Sequence, residues 1–139
     1  MATDRSAEAT WNGSLIEGSG HVDSGVLAGQ ELTWKARTGE SGGTSPEDLI
    51  AAAHAACFAM ALSHGLAQAG TPAEEVKTSA TVTFQPGEGI TKIALTVHGR
   101  GEGLDEGAFR QAAEQAKENC PVSKALAGVP EMTLDASFG

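Results

Sequence analysis

Cys57 and Cys120 are the residues of this chain best placed for chemistry. Cys57 sits midway along an apolar run from Ser45 to Leu62. Cys120 immediately precedes a proline in Asn119-Cys120-Pro121-Val122-Ser123-Lys124. A thiol on a packed helix and another at a helix junction can form a redox couple. A thiol attacks only as thiolate, and an ordinary cysteine is a few per cent ionised at neutral pH, so full ionisation gains roughly 30-fold. Cys57 lies too deep in its helix for the N-terminal dipole to help, and burial among Ala and Phe raises its pKa. A reactive Cys57 therefore needs a cation.

Arg37 is the best candidate among four arginines, because it precedes the glycine-rich loop that leads into the Cys57 helix. Arg5 lies in a terminal tail, Arg100 in a Gly-rich turn and Arg110 on a wet helix face. A guanidinium in a partly dry pocket needs a carboxylate to orient it. Glu47 and Asp48 are adjacent candidates. At about 100° per residue, Glu47 lies roughly 80° around the helix from Cys57 and Asp48 roughly opposite. Glu47 can share a pocket with Cys57, whereas Asp48 suits the helix cap.

The elements that must position these groups read as α+β. Residues 8–15, 20–24 and 31–37 alternate as three short strands, followed by a flexible Gly-rich loop over 38–43. Ser45 is an N-cap, with Pro46 in the first turn and Asp48 completing a capping box. Gly70 ends a helix of roughly 24 residues, apolar nearly all round and so expected to be buried. Val76, Thr78, Ala80, Val82 and Phe84 share one face of a fourth strand, and Ile93, Leu95 and Val97 one face of a fifth. The turn between them lies over 86–89. A helix from Asp105 turns Phe109, Ala112, Ala113 and Ala116 inward. Pro121 breaks it and starts a short helix closed by Gly128, and Met132, Leu134 and Ala136 mark a last strand. His54 reads as a packing or hydrogen-bonding residue, and His64 as a core or interface histidine. Ser123 and Lys124 read as cap and helix-surface residues.

With 139 residues the chain is expected to form one domain, residues 1–139. Aromatics make up only 4% and Tyr is absent, which fits a core shared with a second copy. A net charge of −9 speaks against nucleic acid and anionic membrane surfaces. The start Met1-Ala2-Thr3-Asp4-Arg5 has no apolar stretch, so a cytoplasmic protein is expected, in which any disulfide is transient. Residues 50–66 read as the central helix of a soluble protein and not a membrane span. Zinc is a rival use of His54, Cys57, His64 and Cys120. The three helical residues cannot converge on one ion, however, and CxxC and HExxH spacings are absent, so no metal is expected.

Ser45-Pro46-Glu47, Ala53-His54-Ala55-Ala56-Cys57-Phe58 and Cys120-Pro121-Val122-Ser123 resemble the osmotically inducible protein C (OsmC) branch of the OsmC/Ohr peroxidases. The resemblance extends from about Trp11 to Ala136. It implies antiparallel sheets packed around a long buried central helix, in an intertwined homodimer with sites at the subunit interface. It further implies a stress-response enzyme that reduces organic hydroperoxides, and small peroxides too, without a cofactor. By motif, Cys57 is peroxidatic, Cys120 is resolving, and Arg37 and Glu47 are the activating pair. A dithiol, small-molecule or lipoyl-type, would reset a Cys57–Cys120 disulfide. The alternative is a non-catalytic dimeric module that binds an apolar ligand on the same fold.

Overall fold

The computed structural model describes residues 2–40 and 42–139; Met1 of the polar start and Ser41 of the glycine loop lie outside the described residues. The chain divides into two compact units, one up to Leu49 and one from Ile50 onward.

In the first unit, strands β1 (Ala7–Asn12), β2 (Ser19–Ser24) and β3 (Gln30–Leu32) form an antiparallel meander in that order. Trp11 pairs across from Gly20, where any Cβ would overlap the indole and the Thr10 carbonyl. The alternation predicted to run from 31 to 37 stops at Leu32, and Trp34–Arg37 forms a single helical turn, α1. The cause is Thr33. Its extended backbone (φ −138°, ψ 152°) lets its hydroxyl oxygen accept from the Ala36 amide at 3.0 Å. The same hydroxyl donates to the Gly42 carbonyl at 2.6 Å. A satisfied cap outweighs a weak strand pattern over four residues.

Helix α2 (Pro46–Gln68) starts where the capping residues place it. The Asp48 carboxylate accepts from the Ser45 amide at 2.9 Å and from its hydroxyl at 2.8 Å, while the Asp48 amide donates back to Ser45 Oγ at 3.1 Å. Such caps contribute about 1 kcal/mol. Gly70, at φ +80°, turns the chain out of the helix. By length and composition alone α2 could cross a membrane.

From Ile50 onward α2 belongs to the second unit. There the helix departs from the expectation of burial nearly all round. Only the i, i+4 stripe His54, Phe58, Leu62 and Leu66 is buried, while Ala52, Ala53, Ala56, Met60 and His64 are exposed. The core of this unit meets α2 on one side only, through Phe58, Leu62 and Leu66 against Ile93, Leu95 and Phe109. Burying each such large side chain stabilises by about 1.5–3 kcal/mol.

The second sheet has the order β4 (Glu75–Gln85), β5 (Gly89–Arg100), β6 (Glu131–Phe138). β4 and β5 are an antiparallel hairpin whose inward residues alternate as the sequence predicts. The expected all-antiparallel sheet is corrected at β6, which runs parallel to β5, with Leu95 across from Leu134. Helices α3 (Glu106–Asn119) and α4 (Pro121–Ala125) supply the long crossover that a parallel pair requires. Asp105 caps α3 by accepting from the Ala108 amide at 2.8 Å, and Phe109, Ala113 and Ala116 are its buried face.

Gly99 on β5 faces the Phe109 ring so closely that an added Cβ would overlap it. Gly99→Ala should therefore cost about 1–3 kcal/mol through overpacking, measured as a lower urea midpoint with an unchanged slope.

Candidate functional site

Two groups of chemistry-bearing side chains form, one in each unit. In the first, the chain returns beside β3 after the glycine loop. The Thr44 amide donates to the Glu31 carbonyl at 2.6 Å, and Leu32 bridges to Thr44. This return sets the first turn of α2 beside the end of α1. Arg37 Nε then donates to Glu47 Oε1 at 3.1 Å, and Nη2 to Oε2 at 3.2 Å. The fork is bidentate, the geometry that fixes a guanidinium plane as well as its charge. Glu47 is 8% exposed at its side chain and Arg37 35%. Trp11, Leu15, Leu32, Trp34 and Arg37 line a cavity of about 170 Å³ beside the pair. Asp48 stays in the cap.

In the second unit, α2 carries Cys57 and the α3–α4 junction carries Cys120. A residue before proline is driven out of the helical region, and Cys120 accordingly has φ −59°, ψ 121°. Helix α3 stops, α4 begins at Pro121, and the Cys120 sulfur is left at the N-terminus of α4. Cys120 and Cys57 each perturb the other's ionisation, as neighbouring thiols do. Both thiols are free. Cys120 is fully buried, but Cys57 is only half-buried, less than its apolar sequence setting predicts. It faces an open cleft of about 500 Å³ lined by Ala53, Ala56, Met60, Ala61 and Pro121.

The two thiols share their protons unequally. Burial pushes the Cys57 thiol above the ordinary range, and the hydrogen bond and charge of Cys120 push it further, against a lowering contact with the Val122 backbone. Burial would also raise Cys120. The neighbouring Cys57, Ser123 and Val122 groups favour the thiolate and outweigh it, and Cys120 is held below the ordinary range. The half-buried sulfur that a substrate could reach is that of Cys57.

Behind the thiols, His54 Nε2 and Ser123 Oγ are 2.8 Å apart and both residues are buried. Burial keeps the imidazole neutral by lowering its pKa. Ser123 is thus not the cap that its sequence position predicts. Cys120 occupies the N-cap, and α4 has no side-chain cap bond. The 69-residue separation of His54 and Ser123 gave no local signal of their pairing. Among the described residues no three His, Cys, Asp or Glu side chains group as a metal site.

The chain has relatives of known kind. The family described as OsmC-like protein matches residues 39–135. The chain belongs to the OsmC family. It is 41% identical over 140 residues to peroxiredoxin OsmC of Escherichia coli K12, covering 97% of this chain and 96% of that relative. Organic hydroperoxide resistance protein OhrB of Bacillus subtilis is 31% identical over 120 residues, covering 84% and 88%. Among solved structures, an organic hydroperoxide resistance protein OsmC from Legionella pneumophila superposes with a TM-score of 0.67 at 27% identity, covering 96% of each chain. The α+β architecture is that of the OsmC fold.

Because each thiol perturbs the other in the opposite direction, removing one should shift the other in opposite senses. Cys120→Ala should lower the ionisation midpoint of Cys57, and Cys57→Ala should raise that of Cys120. Thiolate absorbance followed through a pH titration of each variant reads both signs.

Proposed function

We propose that this OsmC-family chain is a cysteine-based peroxidase that reduces organic hydroperoxides. The observation that carries the reading is the mutual perturbation of Cys57 and Cys120, the first half-buried on a cleft and the second fully buried. In the first half-reaction the Cys57 thiolate attacks the outer oxygen of ROOH. The O–O bond breaks, the alkoxide takes up a proton and leaves as alcohol, and Cys57 becomes a sulfenic acid. Cys120 is the resolving residue: its sulfur displaces the sulfenic oxygen as water and closes a Cys57–Cys120 disulfide. A dithiol, small-molecule or lipoyl-type, returns both thiols by exchange.

Burial raises the Cys57 thiol above its ordinary range, so a positive charge is needed to favour its thiolate. Arg37, held in a fixed fork by Glu47, is the residue assigned that role, and family resemblance supports the assignment. The guanidinium also stabilises charge on the departing oxygen. The exposed apolar face of α2, at Ala52, Ala53, Ala56 and Met60, together with the scarcity of aromatics, supports an intertwined homodimer. The apolar walls beside Cys57 favour an alkyl hydroperoxide over hydrogen peroxide. The enzyme acts in the cytoplasm as part of a stress response, where reducing dithiols complete each cycle.

Steady-state assays of variants test these roles. Cys57→Ser should reduce alkyl-hydroperoxide turnover to background. Cys120→Ser should still be oxidised once, but as a sulfenic acid that never closes. Arg37→Lys should lose about tenfold or more in turnover, because a lysine keeps the charge but not the planar fork held by Glu47. Full turnover by Cys57→Ser would contradict the assignment.

A further inference from the structure

The chain has two tryptophans, and both line the cavity of about 170 Å³ in the first unit. Neither is buried: Trp11 is 38% exposed and Trp34 is half-buried. Trp11 is nevertheless held in place. Its indole N–H donates to the Ser14 carbonyl at 3.1 Å, and its ring lies so close over Gly20 that an added Cβ would come within 2.9 Å of it. Trp34 is set by other means. The Thr33 cap starts α1 at Trp34, and Trp34 and Arg37, three residues apart, share one face of that turn. Aromatic rings that are fixed without being buried make a preorganised binding wall.

The wall also limits what it can take. Trp11 spends its N–H on Ser14, and the Thr33 hydroxyl donates to the Gly42 carbonyl at 2.6 Å, so neither offers its proton to a guest. Leu15 and Leu32 add only apolar surface. The Arg37 charge is matched by Glu47, so the fork brings no net charge to the rim. The space is close to the roughly 150 Å³ of an apolar cavity that takes up benzene. It is well below the roughly 300 Å³ at which pockets for larger ligands begin.

We propose that this cavity is the subsite for the organic group of the hydroperoxide, and that Trp11 and Trp34 select a compact, uncharged group. A single aryl ring or a short branched alkyl fits; a long chain or a charged group does not. The inference rests on the peroxidase reading, in which Arg37 stands at the reacting oxygens. A group held between the indoles lies beside that guanidinium. Its fit then places the O–O bond where Arg37 can stabilise the departing oxygen. A long chain exceeds the space between the rings. A carboxylate would lose its water to face a cation already matched by Glu47.

Because both tryptophans line the cavity, intrinsic fluorescence of the native reduced protein reads its occupancy without any turnover. Cumyl alcohol, the product of cumene hydroperoxide, should give a saturable change. The long chain n-octanol and the charged ring benzoate should each need at least about tenfold more ligand for the same change. In turnover, kcat/KM for cumene hydroperoxide should exceed that for n-octyl hydroperoxide, and Trp34→Ala should lower this ratio about tenfold. Loss of α1 alone would displace Arg37 and slow both substrates together, so an unmoved ratio would overturn the selecting role. A fluorescence that n-octanol or benzoate shifts as readily as cumyl alcohol would overturn it too. So would one that only dilution of the protein shifts, which would put a second copy in the cavity. Should Trp34→Ala not fold, the titrations of the native protein decide. Cumyl alcohol bound by a protein that reduces no hydroperoxide would instead sink the peroxidase reading and, with it, the assignment of this cavity to substrate.

Discussion

The pairing of Cys57 with Cys120, each perturbing the other's ionisation, is the constraint around which the second unit is arranged. It needs one thiol on a long helix and the other where a helix is interrupted, because two thiols inside regular helices would be fixed on their own helical faces. Pro121 provides the interruption. It takes Cys120 out of the helical region, ends α3 and restarts the chain as α4 with the sulfur at the new N-terminus. The stripe His54, Phe58, Leu62, Leu66 then anchors α2 against the sheet and α3. Cys57, one residue before Phe58, thereby sits at the edge of the buried stripe, between core and cleft.

That position sets the chemistry against itself. Enough burial to shield a sulfenic acid from further oxidation also disfavours the thiolate that makes it. Cys57 is raised above the ordinary thiol range while Cys120 is held below it. The Arg37–Glu47 fork is fixed by two hydrogen bonds, and a fixed guanidinium plane is what the activating role proposed for it requires.

Much of this was legible in the sequence wherever local chemistry decides structure. Ser45 and Asp48 mark the start of α2, Asp105 that of α3, and alternation over Val76–Phe84 and Ile93–Val97 marks the inward faces of the hairpin. Helical geometry paired a guanidinium with Glu47 instead of Asp48, because Glu47 lies nearer the Cys57 side of the helix and Asp48 suits the cap. What sequence could not supply was set by contacts distant in the chain. Thr33 turned the end of an apparent strand into α1 by bonding to Gly42. The direction of β6 depends on a crossover through two helices and not on its own alternation. His54 and Ser123 meet only because α2 and α4 pack together, and neither position carries a local mark of the other. The apolar circumference of α2 likewise reads as burial, though the chain itself covers only one stripe of it.

The central claim is that the two sulfurs act together as a redox couple. The most direct measurement is free-thiol count with intact mass after one equivalent of an alkyl hydroperoxide, in the absence of reductant. The account predicts loss of both thiols with a decrease of about 2 Da, the two hydrogens removed when the disulfide closes. Two unreacted thiols in folded protein would contradict it and leave a module that binds an apolar ligand as the better description.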